Sequence, residues 1–208
     1  MMLSALARHA ATIGVLLDDA AVERLERYLS LLEKWNAVIN LTAIRDRERM
    51  IPLHLLDSFT VVPCLGRHHR LLDVGSGAGI PGIPLAIVCP HLEVTLLEPN
   101  QKKAAFLRQA RLELELDRVH VVAERVERWE TVERFDIIIS RAFSDLPDFL
   151  MGARSLLEEG GEMIAMKGGV PFEEIQRLPE EINTRVLPVS VPELEAERHL
   201  VLMEMVRK

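Results

Sequence analysis

The distribution of apolar residues changes character about a third of the way along the chain. In the first ~65 residues they recur at helical spacing. Val22, Leu25, Leu29 and Leu32 lie three or four apart, and Asp18 or Asp19 stands where a helix cap is needed. That helix should run to about Asn36, and a second is expected over 48–62, with Pro52 in its first turns, where proline is tolerated. From residue 71 short apolar runs rotate with amphipathic ones. Strands are expected at 71–74, 94–98, 119–123, 135–140 and 161–168, and helices at 81–88, 101–116 and 145–158, with short helical turns at RVERW and EEIQRL. Runs without polar alternation are buried on both faces, which predicts a parallel sheet covered by helices on each side. Two late segments, 184–191 and 199–206, have no helix between them and predict an antiparallel hairpin at one sheet edge. The fold class is α/β, a Rossmann-like, mostly parallel seven-stranded sheet with that hairpin at its C-terminal edge. Residues 1–66 form a helical extension expected to pack on the domain of residues 67–208.

Composition narrows the picture. The chain has 208 residues, 49% of them apolar, enough for a substantial core. No apolar run reaches the ~18 residues of a membrane span. The opening MMLSALARHAATIG is interrupted by Arg8 and His9 and reads as an amphipathic helix, not a signal peptide. Cys64 and Cys89 form no CxxC pair and are expected as reduced, buried thiols, in keeping with a cytoplasmic protein. No His or Cys cluster has metal-ligand spacing. The net charge of −7 excludes a coat of basic residues but not a local basic patch. The basic runs Arg67–Arg70 and Lys102, Lys103, Arg108 and Arg111 read as solvated faces.

Candidate chemistry centres on LLDVGSGAGIPGIPLAI, residues 71–87. Ligands of such sheets bind at the carboxyl ends of the strands, where Gly75, Gly77 and Gly79 follow the first strand. Glycines there allow positive φ and close backbone approach. Glu98 ends the second strand, where a carboxylate can accept from both ribose hydroxyls of a nucleotide-like cofactor. Nicotinamide dinucleotides and S-adenosylmethionine (SAM) both suit that geometry. Asp73 suits the methionine ammonium of SAM and would repel a pyrophosphate, and Pro81 and Pro84 remove amide donors that a dinucleotide phosphate would use. The run does not fit a nucleophile elbow, because glycines flank Ser76 directly. His54, Asp57 and Ser58 share one helix face, which makes a polar packed face or cleft lining a better reading than a catalytic triad.

Several pieces in order carry a family resemblance. They are Asn40-Leu41-Thr42, His54-x-x-Asp57-Ser58, the DVGSGAGIPGIPLAI run, Arg125-x-Glu127, Ser140-Arg141-Ala142, Lys167-Gly168 and Glu197-Arg198-His199-Leu200. Over nearly its whole length the chain resembles the bacterial small-subunit ribosomal RNA methyltransferases of the RsmG family, also called GidB or glucose-inhibited division protein B. The resemblance implies a class I SAM-dependent methyltransferase that methylates guanine N7 in 16S rRNA. It implies SAM contacts at Gly75, Ile80, Val126, Glu127 and Arg141. The implied partner is 16S rRNA or the small ribosomal subunit, with no DNA and no membrane, and the chain is expected to act as a monomer.

The residues agree with that chemistry. N7 carries an in-plane lone pair and no proton, so transfer needs alignment, not a base. The fourth strand ends in Ser140-Arg141-Ala142, without the Asp/Asn-Pro-Pro-aromatic turn associated with exocyclic amines, and no cysteine follows it. Arg141 and Lys167 are expected nearest the reacting atoms, Arg141 positioning and not accepting a proton. RNA contacts are expected at Lys167, Arg198 and His199, then at Arg45, Arg47 and Arg49. Aromatic residues are only 4%, too few for an extended stacking platform. Two rival readings are an NAD-linked oxidoreductase and a ribosome-assembly factor that retains a cofactor fold.

Overall fold

The computed structural model describes residues 2–141, 143 and 145–206. Helix α1 spans Met2–Thr12 and α2 spans Asp19–Asn36. Asp18 is the cap that starts α2, its side chain accepting from the Ala21 amide at 2.7 Å. The apolar stripe of α2 buries Leu25, Tyr28, Leu29 and Leu32, while Val22 is only half-buried.

The expected second helix is less regular than its sequence suggests. It begins as α3 (Arg47–Met50), widens to a π-helix over Ile51–Leu56, and returns to α geometry in α4 (Asp57–Phe59). A separate turn, α5 (Val62–Leu65), follows. Pro52 has no amide to donate, and the wide turn instead brings the Asp57 amide onto the Pro52 carbonyl.

The sheet follows: β1 (Arg70–Val74), β2 (Glu93–Leu97), β3 (Val119–Val122), β4 (Phe135–Ser140), β5 (Leu157–Lys167), β6 (Ile182–Val189) and β7 (Arg198–Met205). Between them lie α6 (Gly82–Val88), α7 (Gln101–Glu113), α8 (Leu146–Ala153) and the short α9 (Phe172–Gln176). The strand order is β3-β2-β1-β4-β5-β7-β6. The first five strands are parallel, and β7 pairs antiparallel with both β5 and β6. The C-terminal hairpin therefore forms the expected sheet edge.

Three further boundaries differ from the sequence reading by three residues or more, the first being the helix expected over 101–116, which ends at Glu113. The helix expected over 145–158 ends at Ala153 and passes through a single 3₁₀ turn at Arg154–Leu156. Strand β5 begins at Leu157, because Leu157 pairs with Phe135 across a register shift before regular pairing resumes at Glu162.

Alternation along the strands divides the core in two. Leu71, Ile137, Ile139 and Leu96 face one layer, which is continuous with the buried residues of α1, α2, α6 and α7. Leu72, Val74, Ile138 and Met163 face the other, under Phe149 and Leu150 of α8. The N-terminal helices thus share a core with one face of the sheet. Sequence order reverses between β1 and β4, so the crevice at the carboxyl ends of these strands is the switch point where ligands of such sheets bind.

Candidate active site

The turn after β1 is held from beneath. The Gly75 and Ser76 amides both donate to the Leu97 carbonyl at the end of β2, at 2.8 and 3.2 Å. Gly75 and Gly77 have φ of +74° and +58°, a region that side chains rarely occupy. A Cβ on Gly77 would meet only the Gly75 carbonyl, at 3.8 Å, so the turn leaves open space there. Gly79 and Gly82 serve packing instead. A Cβ on Gly79 would lie 2.5 Å from the Ile83 side chain, and one on Gly82 would lie 2.3 Å from Leu96. Ile80 is buried, and its peptide bond to Pro81 is cis.

Asp73 and Glu98 flank this turn, and both are more enclosed than the sequence suggests. Asp73 is 1% exposed and faces α6, where one carboxylate oxygen accepts from the Gly82 amide at 3.0 Å. Its other oxygen, Oδ1, is buried and has no hydrogen-bond partner among the described residues. Burial pushes the Asp73 carboxyl up to about 7, against the opposing pull of the Gly82 amide and the Arg141 charge. Glu98 lies just past β2. One of its oxygens accepts from the Gly77 amide and the other from the Asn100 amide, each at 2.8 Å. Its first work is therefore to bind the glycine turn to the start of α7, which leaves only the remaining lone pairs of each oxygen for a cofactor hydroxyl.

The N-terminal helices reach the same place. The hydroxyl of Tyr28, the single tyrosine of the chain, donates to the Ala78 carbonyl inside the turn at 2.7 Å. Asn36 braces the 40–42 segment, its Oδ1 accepting from the Leu41 and Thr42 amides and its Nδ2 donating to the Thr42 carbonyl. Thr42 in turn contacts His54 Nε2 at 3.0 Å. Ser58 donates to the His54 carbonyl and not to its ring, so these residues form no triad. Burial, and then the Arg141 charge, lower His54 to about 4 and keep it neutral at pH 7.

The cationic residues expected at the site divide into two groups. Arg141, directly after β4, donates to the Leu53 carbonyl at 2.9 Å and pairs with Asp57 at 3.3 Å. Lys167 ends β5, paired in register with His199 of β7, and its ammonium lies 2.8 Å from Glu174. Arg198 pairs with Asp57 at 3.2 Å, and His199 Nδ1 meets the Gly168 carbonyl at 2.9 Å. These four residues stand at the end of the sheet that carries the glycine turn. Val126 and Glu127 follow β3 on the same edge, in a 3₁₀ turn that leaves Glu127 exposed. Arg47 stands apart. Its guanidinium is clamped between Glu26 and Glu33 of α2, which makes it a fastener of α3. Arg45 and Arg49 are exposed. Ala142, the last residue of the Ser140-Arg141-Ala142 motif, lies outside the described residues.

Sequence reading missed Tyr28 and the part played by Asp57. Tyr28 continues the apolar stripe of α2, so its spacing looked like packing alone. Asp57 reads in the sequence as one polar residue of a helix face and as part of a family motif, with nothing to mark its two arginine partners.

The residues fit a nucleoside cofactor that carries an ammonium group. An orphaned buried carboxylate oxygen, a turn with room at Gly77 and a cation just beyond β4 converge at the switch point. Sheet order and turn together define a class I SAM-dependent methyltransferase fold. Solved methyltransferases share it. A putative O-methyltransferase from Klebsiella pneumoniae superposes with a TM-score of 0.65 at 15% identity, over the whole of both chains. The plantazolicin methyltransferase BpumL, solved in complex with SAH, gives 0.57 at 11% identity, over 88% of this chain and 97% of that one. A profile of the GidB family, described as rRNA small subunit methyltransferase G, matches residues 21–201. Curated relatives bearing the name ribosomal RNA small subunit methyltransferase G are 53% identical in Chromobacterium violaceum and 49% in Neisseria gonorrhoeae, each over 93% of both chains. The chain belongs to the rRNA small subunit methyltransferase G family.

Proposed function

We infer that the protein transfers a methyl group from SAM to N7 of one guanine in 16S rRNA. The observation that carries this reading is the convergence, on one sheet edge, of the glycine turn with its buried acid and a row of cations, Arg141, Lys167, Arg198 and His199. SAM supplies an electrophilic methyl group on its sulfonium. Asp73, Gly75, Gly77, Gly79 and Ile80 hold and shape the cofactor turn. Glu98, Val126 and Glu127 line the path of the nucleoside, and Arg141 meets the carboxylate end. Lys167, Arg198 and His199 receive RNA phosphates, with Arg45 and Arg49 at the margin. Arg47, committed to two glutamates, contributes to the fold and not to RNA.

Chemistry at N7 asks little else of the protein. The lone pair is already in the base plane, and no proton has to leave before attack. A guanidinium or an ammonium could not remove one near pH 7 in any case. Rate enhancement then comes from alignment of N7 with the methyl group, for which an effective molarity worth several kcal/mol is available. The substrate is rRNA, and we place the protein in the cytoplasm as a monomer working on naked 16S rRNA or the small subunit. Residues 1–66 act as a helical extension of the 67–208 catalytic domain. Among the described residues no helix is long and apolar enough to cross a membrane.

Calorimetry with SAM, S-adenosylhomocysteine and NAD, followed by tritium transfer from labelled SAM to rRNA of a strain lacking the protein, tests this reading. SAM and S-adenosylhomocysteine should bind and label should enter 16S rRNA. Tight NAD binding without SAM binding would return the oxidoreductase reading. SAM binding without transfer would favour an assembly factor.

A further inference from the structure

Among the described residues, Asp57 is the one group that touches both ends of the cationic row. Its side chain is 5% exposed and comes from α4, in the N-terminal helices. One oxygen pairs with Arg141 Nη1 at 3.3 Å and the other with Arg198 Nε at 3.2 Å. Arg141 begins just after β4, and Arg198 opens β7 on the far side of β5. A single carboxylate therefore spans from one sheet position to another, two strands away. The π-helical stretch adds a third tie, since the Leu53 carbonyl accepts from the same Arg141 nitrogen at 2.9 Å.

The pairing leaves both arginines usable. Among the described residues, Arg141 Nε and Nη2 and Arg198 Nη2 make no hydrogen bond, while Arg198 Nη1 donates to the Glu197 carbonyl. The side chains are 30% and 24% exposed, so their free edges reach solvent. Two guanidiniums against one carboxylate leave a net positive charge at the cluster, suited to anions. Arg141 is also close enough to the cofactor turn to pull on the Asp73 carboxyl.

We propose that Asp57 is a positioning residue that sets the spacing between Arg141, which holds the carboxylate end of the cofactor, and Arg198, which holds an RNA phosphate. This rests on the assignments of Arg141 and Arg198 made above. Methyl transfer to N7 is an alignment problem, and misplacement by about 1 Å can cost about a hundredfold in rate. A buried carboxylate shared by the two anchoring cations holds donor and acceptor in one frame. Its effect should fall on kcat, because each arginine can still bind its own ligand without it.

Asp57→Asn separates this role from plain structure or charge. The amide presents N–H to one of the two guanidiniums, donor against donor, so one arginine is released. The same change removes a negative charge from the patch, so raw attraction for RNA grows. The positioning role predicts a kcat lower by about 10- to 100-fold, with KM for RNA unchanged or lower and KM for SAM within a few-fold. Arg198→Lys keeps the charge and loses the planar fork. It should lower kcat in the same way, and the double variant should be no worse than Asp57→Asn alone. Arg198→Lys also decides the question if Asp57→Asn does not fold. Thermal melts report the folded fraction to which each kcat is referred. Wild-type kcat in folded Asp57→Asn, or loss of activity expressed only as a higher KM for RNA, would overturn the proposal, as would wild-type kcat in Arg198→Lys. A wild-type protein that transfers no methyl group to rRNA would overturn the functional reading itself, and the proposal with it.

Discussion

Asp73 and His54 are buried titratable groups whose shifts act on stability in opposite senses. Asp73 rises from 3.8 to about 7, so between these values the unfolded chain has lost a proton that the folded protein keeps. Its contribution is complete below about pH 4 and is lost as pH climbs through about 7. His54 falls from 6.5 to about 4, so its contribution is complete above pH 6.5 and is lost as pH drops toward 4. The two slopes offset each other across that shared window. Asp73→Asn should expose the His54 slope, with stability to urea rising from pH 4 to 6.5. At pH 8 the cofactor-free variant should be more stable than wild type by about 1–3 kcal/mol, while SAM affinity falls by at least about tenfold. An unaltered pH profile would mean that Asp73 is not the group that offsets the His54 slope. Gly77→Asp tests the turn from its open side. The position has room for a side chain, so the protein should fold despite the positive φ, at a cost of about 1–2 kcal/mol. SAM binding should be lost in calorimetry. At this scale the positions of the acids and glycines were legible, because the apolar runs mark where β1 and β2 end and Asp73, the glycine turn and Glu98 stand at those ends. Which oxygen of Asp73 or Glu98 was already engaged depends on the Gly82, Gly77 and Asn100 amides, and no sequence spacing reports that.

The strand and helix rotation was legible element by element, because fully buried strands and amphipathic helices differ in period. The segment over 47–59 was not. Periodicity reads it as one helix, but the turn widens to π geometry at Pro52, and within it the Leu53 carbonyl accepts from Arg141. Links between the N-terminal helices and the sheet were also hidden, since each joins residues far apart in sequence. Tyr28→Phe tests one of them. It removes the bond to the Ala78 carbonyl and leaves that group buried and unpaired, which should cost about 1–2 kcal/mol. KM for SAM should rise a few-fold, because the turn loses its outer brace. A loss of stability with no change in KM would confine Tyr28 to the core. Arg47→Ala tests another link. It should lower stability by about 1 kcal/mol or less, as expected of a partly exposed ion-pair cluster. RNA affinity measured by filter binding should be unchanged. A flatter salt dependence would restore the RNA contact expected from sequence.

For the whole molecule, the sheet gathers chemistry that the sequence scatters. Residues from the second helix to the last strand meet at one edge, and the net charge of −7 conceals a local row of cations there. Lys167 should act through charge alone. Lys167→Ala is expected to reduce the salt slope of RNA binding by about one ion while SAM affinity stays within a few-fold. An unchanged slope would remove Lys167 from the phosphate contacts. The family resemblance reached as far as the substrate because its motifs run along nearly the whole chain, whereas the glycine turn alone points only to the methyl donor. The most direct test of the account is the identity of the modified nucleoside. Wild-type protein, labelled SAM and 16S rRNA from a strain lacking the protein should yield 7-methylguanosine at a single position on complete digestion. Label in an exocyclic-amine or C5-methylated nucleoside, or spread over many guanines, would contradict it.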